Sequence, residues 1–247
     1  MRPSLFALAA VFAALFASMA VYVLRGRKQD PDAVAKHAQF VGGLGNFLLH
    51  WALWVIDPLV GASVRLGLTP DFYNYAGLLL GLAGGVLIGL GWLAAGAWAI
   101  VLCGVCDILD GRIARATGVA SAYGDFIDST FDRFVEVFVF LGFGQYLRAT
   151  PHGTLLAGAA LATSLVVSYA RARGEVLGVL CTGGLMQRGE RLVLVVLACL
   201  FDGPLAEAAG WAPGTVVQWM LLFVAVSSAF TAAQRTRWIA RRLLPPA

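Results

Sequence analysis

The chain has 247 residues, of which 60% are hydrophobic and only 13% are charged. Soluble domains carry about 25% charged residues, so this composition excludes an ordinary soluble protein and predicts a membrane protein. The net charge of +4 comes almost wholly from arginine, whose planar guanidinium suits phosphates and anionic headgroups.

An apolar run stands near the start of the chain. Residues 4–24 are long enough to span a bilayer, and Arg25, Arg27 and Lys28 follow them directly. A cleaved signal peptide carries its basic cluster before the apolar run, and here the order is reversed. We therefore predict an uncleaved N-terminal transmembrane anchor over residues 1–28, with the N-terminus outside.

Residues 29–68 are too polar and too interrupted for a clean membrane span. Residues 29–38 form a polar linker, and the segment after them mixes Trp51 and Trp54 with Asp57. Tryptophan prefers the boundary between lipid and water. We predict a cytoplasmic linker followed by an amphipathic segment that lies along the interface.

Six further helices are predicted over residues 69–242. The first begins at Thr69-Pro70-Asp71, since proline suits the first turn of a helix and aspartate suits its positive end. Because lipid offers no hydrogen-bond partner to an irregular backbone, every span should be helical. The predicted fold class is an all-α integral membrane protein, a six-helix transmembrane bundle plus the extra N-terminal transmembrane helix. The predicted spans are about 69–90, 95–111, 121–147, 155–170, 192–202 and 215–233, with an outer loop from Asp202 to Gly214.

Glycine recurs every four residues in the first of these helices. This glycine stripe consists of Gly77, Gly81, Gly85 and Gly89. Small residues on one face let another helix pack closely in a membrane. The stripe fits packing within the chain and fits a homodimer equally well.

Positive charge is distributed unevenly between the predicted loops. With the N-terminus outside, fifteen arginines and lysines fall on inward-facing segments, whereas the outer segments hold only Arg2 and Arg148. Cytoplasmic loops of membrane proteins carry such an excess. The asymmetry predicts a multi-pass protein of the cytoplasmic membrane.

Residues 107–132 carry five of the ten aspartates of the chain, between two apolar segments. Carboxylates are costly in a bilayer and normally mark a functional site. Asp107 and Asp110 are three positions apart, and Asp128 and Asp132 four, so on helices each pair shares a face. Two such pairs on facing helices offer oxygen ligands for two divalent cations. A metal-dependent enzyme and a divalent cation transporter both fit these carboxylates.

The other residues of this stretch favour an enzyme. Gly111 and Ala114 have little or no side chain, so a phosphorylated group can approach the backbone there. The Arg115 guanidinium can donate two parallel hydrogen bonds to a phosphate. Gly124 permits close approach at the start of the second helix. Asp132, one turn deeper than the preceding aspartate, could take a proton from an attacking hydroxyl. A cation transporter does not explain these residue types at this spacing, and a catalytically silent scaffold does not require them.

The stretch reads D-x2-D-G-x2-A-R-x8-G-x3-D-x3-D, which resembles the signature of the CDP-alcohol phosphotransferases at all eight fixed positions. The resemblance covers about residues 66–237. It implies the six-helix membrane bundle of that family, and the asymmetry of positive charge places the active site at the cytoplasmic face. It also implies transfer of a phosphatidyl group from CDP-diacylglycerol to a small alcohol, with release of CMP and no nucleic-acid partner.

The resemblance also implies roles for individual residues. The metal ligands would be Asp107, Asp110, Asp128 and Asp132, holding two divalent ions, Mg²⁺ or Mn²⁺, and Asp132 would be the base. The CDP site would consist of Asp110, Gly111, Ala114, Arg115 and Gly124. Glu136, one turn beyond Asp132, lies outside the motif and fits either support of the site or a helix-packing hydrogen bond.

Four arginines outside the motif are candidates for binding the acceptor: Arg171, Arg188, Arg191 and Arg235. They are similar to the basic set of the phosphatidylinositol phosphate synthases, although those enzymes usually have lysine where Arg171 stands. A phosphorylated acceptor is therefore favoured, inositol phosphate first and glycerol 3-phosphate second, followed by free serine or inositol. Ordinary positive-inside topology accounts for any one of these arginines equally well.

Overall fold

The computed structural model describes residues 13, 16–26, 43–181 and 183–244. All regular structure within these residues is helical, which confirms the predicted all-α class. The chain divides into two compact units, Met1–Leu68 and Thr69–Ala247. The helices are α1 (residues 16–24), α2 (Gly43–Arg65), α3 (Pro70–Gly89), α4 (Leu93–Thr117), α5 (Ala122–Tyr146), α6 (Gly153–Val176), α7 (Arg188–Ala209) and α8 (Thr215–Leu243).

In the first unit, aromatic side chains join α1 to α2. The ring of Tyr22 lies 5.6 Å from that of Trp54, and the Trp51 indole donates a hydrogen bond to Ser18 Oγ at 3.1 Å. Helix α2 continues through Pro58 without a break. Most of the predicted anchor and the whole of the 29–38 linker lie outside the described residues, so these two predictions and the interfacial placement of α2 stay predictions.

Five of the described helices are long and apolar enough to cross a membrane: α3, α4, α6, α7 and α8. Helix α5 is of similar length, with 25 residues, but five charged side chains interrupt its apolar sequence. These are Asp125, Asp128, Asp132, Arg133 and Glu136. The second unit therefore places a charged helix among strongly apolar ones.

Local capping signals determine where the helices around this charge begin and end. Thr69 Oγ1 accepts the Phe72 N–H at 3.3 Å, with Pro70 in the first turn of α3. Gly118 ends α4 in the left-handed conformation at φ 72°, and Ser121 Oγ accepts the Gly124 N–H at 3.2 Å to begin α5. The short turn brings the end of α4 beside the start of α5, and both helices pack against α3.

The glycine stripe packs α3 against its own chain. A Cβ atom at Gly85 would collide with the Phe138 carbonyl of α5, and one at Gly81 would lie 2.5 Å from the Val135 side chain. A Cβ at Gly77 would lie 3.4 Å from Cys106 of α4. Because internal helices cover these positions, the stripe is accounted for by packing within the chain and gives the alternative of a homodimer no support.

The predicted outer loop from Asp202 to Gly214 is mostly wrong, because α7 continues to Ala209 through Pro204. Asp202 is 1% exposed, and its carboxylate accepts the Gly214 N–H at 2.8 Å and the Val216 N–H at 3.1 Å. The first N–H groups of α8 have no carbonyl acceptor within the helix, so the Asp202 carboxylate supplies one. Its negative charge also suits the positive end of the helix dipole. An aspartate that suggested a loop is thus the buried cap of the next helix.

Candidate active site

A cavity that is open to solvent lies among α3, α4, α5 and α7 in the second unit. Helices α4 and α5 contribute the predicted aspartates, and α7 contributes an arginine. Helix α3 supplies the remaining wall. The lining residues are Tyr73, Asn74, Gly77, Leu78, Cys103, Asp107, Asp110, Asp128, Phe131, Asp132, Val135 and Arg188.

Three of the predicted metal ligands form a compact group, the carboxylate cluster, which consists of Asp107, Asp128 and Asp132. One carboxylate oxygen from each residue lies within 4.8 Å of the others. Oxygen ligands stand about 2.0–2.6 Å from Mg²⁺ or Ca²⁺, so oxygens at this separation can share one ion. The cluster joins α4 to α5, as the sequence spacing predicts.

Asp110 lies on the wall of the same cavity but outside the carboxylate cluster. It is 5% exposed, and its Oδ1 accepts the backbone N–H of Gly111. Its position one turn along α4 from Asp107 leaves both carboxylates on the cavity side of the helix. The structure thus places all four predicted metal ligands around one cavity and brings three of them into mutual reach.

Arg188 bridges two members of the carboxylate cluster from the first turn of α7. Its Nη1 donates to Asp107 Oδ1 at 2.8 Å, and its Nη2 lies 2.5 Å from Asp132 Oδ1. Charge-assisted bonds of this kind are roughly twice as strong as neutral ones. Through them Arg188 ties α7 to both aspartate-bearing helices.

The residues predicted for the CDP site lie in the last turns of α4 and the first turn of α5. The Arg115 guanidinium stands beside Gly111, where a Cβ would be 3.3 Å from Arg115 Nη1. A Cβ at Gly124 would meet only Ser121 Oγ, at 3.7 Å, and Ala114 is half-buried. None of these four residues lines the cavity itself, and their nucleotide-binding role stays a prediction.

The other three arginines predicted for the acceptor have protein partners elsewhere. Arg171 is exposed and pairs with Glu175 on its own helix at 2.8 Å. Arg191 is 2% exposed and donates to Glu136 Oε1 and to the Met186 carbonyl. Arg235 donates to the carbonyls of Gly183 and Val167, at 2.8 and 3.1 Å. Of the four, Arg188 alone lines the cavity.

Arg133 is a site-adjacent residue that the sequence analysis missed. Its Nη1 donates to Ser168 Oγ of α6, and its Nη2 lies 3.8 Å from Asp132 Oδ2. The same Nη1 lies 3.5 Å from Glu136 Oε2. An arginine directly after the last motif aspartate was the available signal, but only the fold shows that it faces α6.

Helix α3 also contributes cavity residues outside the predicted site, namely Tyr73 and Asn74. Asn74 Nδ2 donates to the Pro70 carbonyl at 3.4 Å, within its own helix. The sequence gives only a weak indication that these two residues line the cavity, namely their spacing of four and three positions from Gly77 on one helix.

The chain belongs to the CDP-alcohol phosphatidyltransferase family, whose model matches residues 68–231. The predicted resemblance is therefore confirmed. The protein is a transferase of this class and a multi-pass integral membrane protein. The family assignment removes the basis for the alternative of a cation transporter.

Phosphatidylinositol phosphate synthases are prominent among its relatives. One from Cutibacterium acnes is 33% identical over 202 residues, covering 78% of this chain and 95% of the relative. The Mycobacterium tuberculosis enzyme with CDP-DAG bound has a TM-score of 0.67 and 30% identity, covering 78% of this chain and 98% of that one. Its complex with manganese and citrate has a TM-score of 0.68 and 29% identity, covering 78% and 93%.

Proposed function

We propose that the protein transfers the phosphatidyl group of CDP-diacylglycerol to inositol phosphate and releases CMP. The observation that carries this proposal is that the carboxylate cluster and Arg188, which bridges two of its members, line the same cavity. Solved structures of a phosphatidylinositol phosphate synthase with CDP-DAG, and with manganese, support both the donor and the metal.

The residues present fit divalent cations. The carboxylate cluster supplies three oxygens within 4.8 Å of one another, and Asp110 adds a fourth carboxylate on the cavity wall. Hard oxygen ligands suit Mg²⁺ and Mn²⁺. Two bound ions would supply electrostatic stabilisation of the diphosphate of the donor and of the departing phosphate.

Asp132 is the residue we propose as the general base. The acceptor hydroxyl oxygen forms a bond to the phosphorus that carries diacylglycerol, and the bond from that phosphorus to the diphosphate bridging oxygen breaks. The electron pair leaves with CMP, and the hydroxyl proton goes to the Asp132 carboxylate. This side chain is 13% exposed, so the base is largely shielded from bulk water.

Arg188 is the residue we propose for the acceptor phosphate, because it lines the cavity and directly contacts Asp132. A guanidinium fork suits bidentate binding of phosphate. The exposed Arg171, together with Arg191 and Arg235, would surround this position. The phosphatidylinositol phosphate synthases among the relatives support inositol phosphate ahead of glycerol 3-phosphate, serine and inositol.

We further propose that residues 69–242, within the second unit, carry the catalysis, with residues 1–28 as an anchor and 29–68 as a linker and interfacial segment. The site would open to the cytoplasm. Its support is the excess of arginine and lysine on the predicted inner segments 25–68, 112–121, 171–191 and the tail after residue 234, with fifteen of these residues against two on the outer segments. A water-soluble acceptor phosphate would enter from that side.

The experiment supplies CDP-diacylglycerol and Mn²⁺ to the purified protein with each of four acceptors: inositol phosphate, glycerol 3-phosphate, inositol and serine. Released CMP and the lipid product are then identified. We expect phosphatidylinositol phosphate to form from inositol phosphate, and no CMP without a divalent ion. A lipid product formed only with glycerol 3-phosphate would contradict inositol phosphate as the acceptor. CMP release without a divalent ion would contradict the metal-dependent mechanism.

A further inference from the structure

The carboxylate cluster already has a cationic side chain in contact with it. Arg188 reaches Asp107 Oδ1 at 2.8 Å and Asp132 Oδ1 at 2.5 Å, so its two terminal nitrogens take one oxygen from each aspartate. These are the oxygens of residues that would ligate a metal ion. A guanidinium and a metal ion therefore draw on the same two carboxylates, and their like charges repel at this distance.

The charge count of the cavity points the same way. Its four aspartates carry four negative charges when ionised, and Arg188 offsets one of them. Two divalent ions would neutralise all four carboxylates without any help from the arginine. Once the ions are present, the positive charge of Arg188 is a surplus that suits a phosphate ligand.

The hydrogen-bonding capacity of the Arg188 guanidinium is also incompletely satisfied in this position. Its buried Nε has no hydrogen-bond partner. Arg191, one turn further along α7, differs in this respect, since its Nε and Nη2 bond to Glu136 and its Nη1 bonds to the Met186 carbonyl. Three hydrogen bonds to Glu136 and Met186 hold the Arg191 guanidinium in place. Among the described residues, the Arg188 guanidinium is held only by its contacts with Asp107 and Asp132, which are both candidate metal ligands.

We propose that Arg188 and the metal ions are alternative occupants of the carboxylate cluster, so that metal binding releases the guanidinium to the acceptor phosphate. This inference rests on the proposed function and adds an order to it. In the metal-free protein Arg188 neutralises part of the cluster and is unavailable to the acceptor. Metal loading converts the same side chain into a phosphate-binding group, so the acceptor binds after the metal.

The first test measures Mn²⁺ binding to the purified full-length protein, without donor or acceptor, by the electron paramagnetic resonance signal of free Mn²⁺. We expect Arg188→Gln to bind Mn²⁺ about tenfold more tightly than the wild type, because the competing cation is gone. Arg148→Gln removes the same charge from an exposed arginine between α5 and α6, outside the cavity lining, and its Mn²⁺ affinity should stay within about twofold of the wild type. Equal or weaker binding by Arg188→Gln overturns the inference.

A second test uses the unaltered protein, so it does not depend on how the variant folds. Phenylglyoxal modifies accessible guanidinium groups, and mass spectrometry reports the rate at each arginine. We expect Mn²⁺ to accelerate the modification of Arg188 about fivefold or more, while the exposed Arg148 reacts at an unchanged rate. An Arg188 rate that Mn²⁺ leaves unchanged or lowers overturns the inference.

The outcomes separate this inference from the function on which it rests. If wild type and Arg188→Gln bind Mn²⁺ with the same affinity, the competition is refuted while the metal-dependent transfer stands. If neither protein binds Mn²⁺, the metal-dependent function itself is contradicted, and the inference falls with it.

Discussion

The buried guanidinium of Arg191 and the carboxylate of Glu136 form an ion pair that joins α7 to α5. Their separation is 2.9 Å from Nε to Oε1, and the side chains are 2% and 3% exposed. Glu136 lies one turn beyond Asp132, and Arg191 lies one turn beyond Arg188. The pair therefore fixes the relative position of the proposed base and the proposed phosphate-binding arginine.

Removing one partner of this pair should destabilise the protein strongly. Glu136→Ala leaves a buried guanidinium without its counter-charge, which costs about 3–5 kcal/mol. The four cysteines are free and buried, so a thiol-reactive dye reports thermal unfolding. Glu175→Ala is the matched control, since it breaks an exposed pair worth about 1 kcal/mol or less. Similar losses of melting temperature in the two variants would contradict a structural role for the Glu136–Arg191 pair.

The glycine stripe provides a second prediction, on stability rather than activity. Gly85→Ala places a methyl group against the Phe138 carbonyl and should destabilise the protein by about 1–3 kcal/mol. Gly158 of α6 has nothing within 4 Å of an added Cβ, so Gly158→Ala should be neutral or stabilising by up to about 1 kcal/mol. Thermal unfolding of both variants in detergent checks this contrast. If Gly85→Ala altered the oligomeric state and left the melting temperature unchanged, the stripe would serve a dimer interface instead.

Asp202 should stabilise the protein without contributing to catalysis. Asp202→Ala leaves the N–H groups of Gly214, Val216 and Val217 without their acceptor, which costs about 1–3 kcal/mol. Asp202→Asn keeps one of the two acceptor oxygens and loses the charge and the other acceptor, so its cost should be smaller than that of the alanine variant, about 0.3–2 kcal/mol. Thermal unfolding ranks the two variants, and CMP release below their melting temperatures should match the wild type. A loss of activity in folded Asp202→Asn would argue against a purely structural role.

The role of Asp132 as base gives a kinetic prediction. Asp132→Asn keeps the shape of the side chain but cannot accept the proton, so CMP release should fall roughly 10²–10⁴-fold. Asp125→Asn is the control, because Asp125 is exposed in the first turn of α5 and lies outside the motif and the cavity lining. We expect that variant to retain activity within about twofold of the wild type. Comparable losses in both variants would indicate a general effect of charge on α5.

The helical class, the beginning of α3 at Thr69 and the turn between α4 and α5 were predictable, because they depend on residues within one or two turns of each other. The same holds for the aspartate pairs, since helical spacing alone puts Asp107 near Asp110 and Asp128 near Asp132. Asp202 was misassigned for a related reason. Aspartate, glycine and proline next to one another favour a loop locally. The backbone N–H groups that the Asp202 carboxylate caps lie 12 to 15 positions further along the chain.

The sequence by itself determined that this is a helical membrane protein with a carboxylate-rich site and a transferase motif, since composition and short-range spacing carry that information. Only the tertiary structure decided which cations meet those carboxylates. Arg188 reaches Asp107 across 81 positions, and Arg191 reaches Glu136 across 55. Four arginines that look alike in the sequence thus separate into one that contacts the carboxylate cluster, two buried in structural contacts and one exposed. The physical reason is that a charge pairs with whatever the packing of helices α4 to α8 brings within hydrogen-bond distance, and no local pattern specifies that packing.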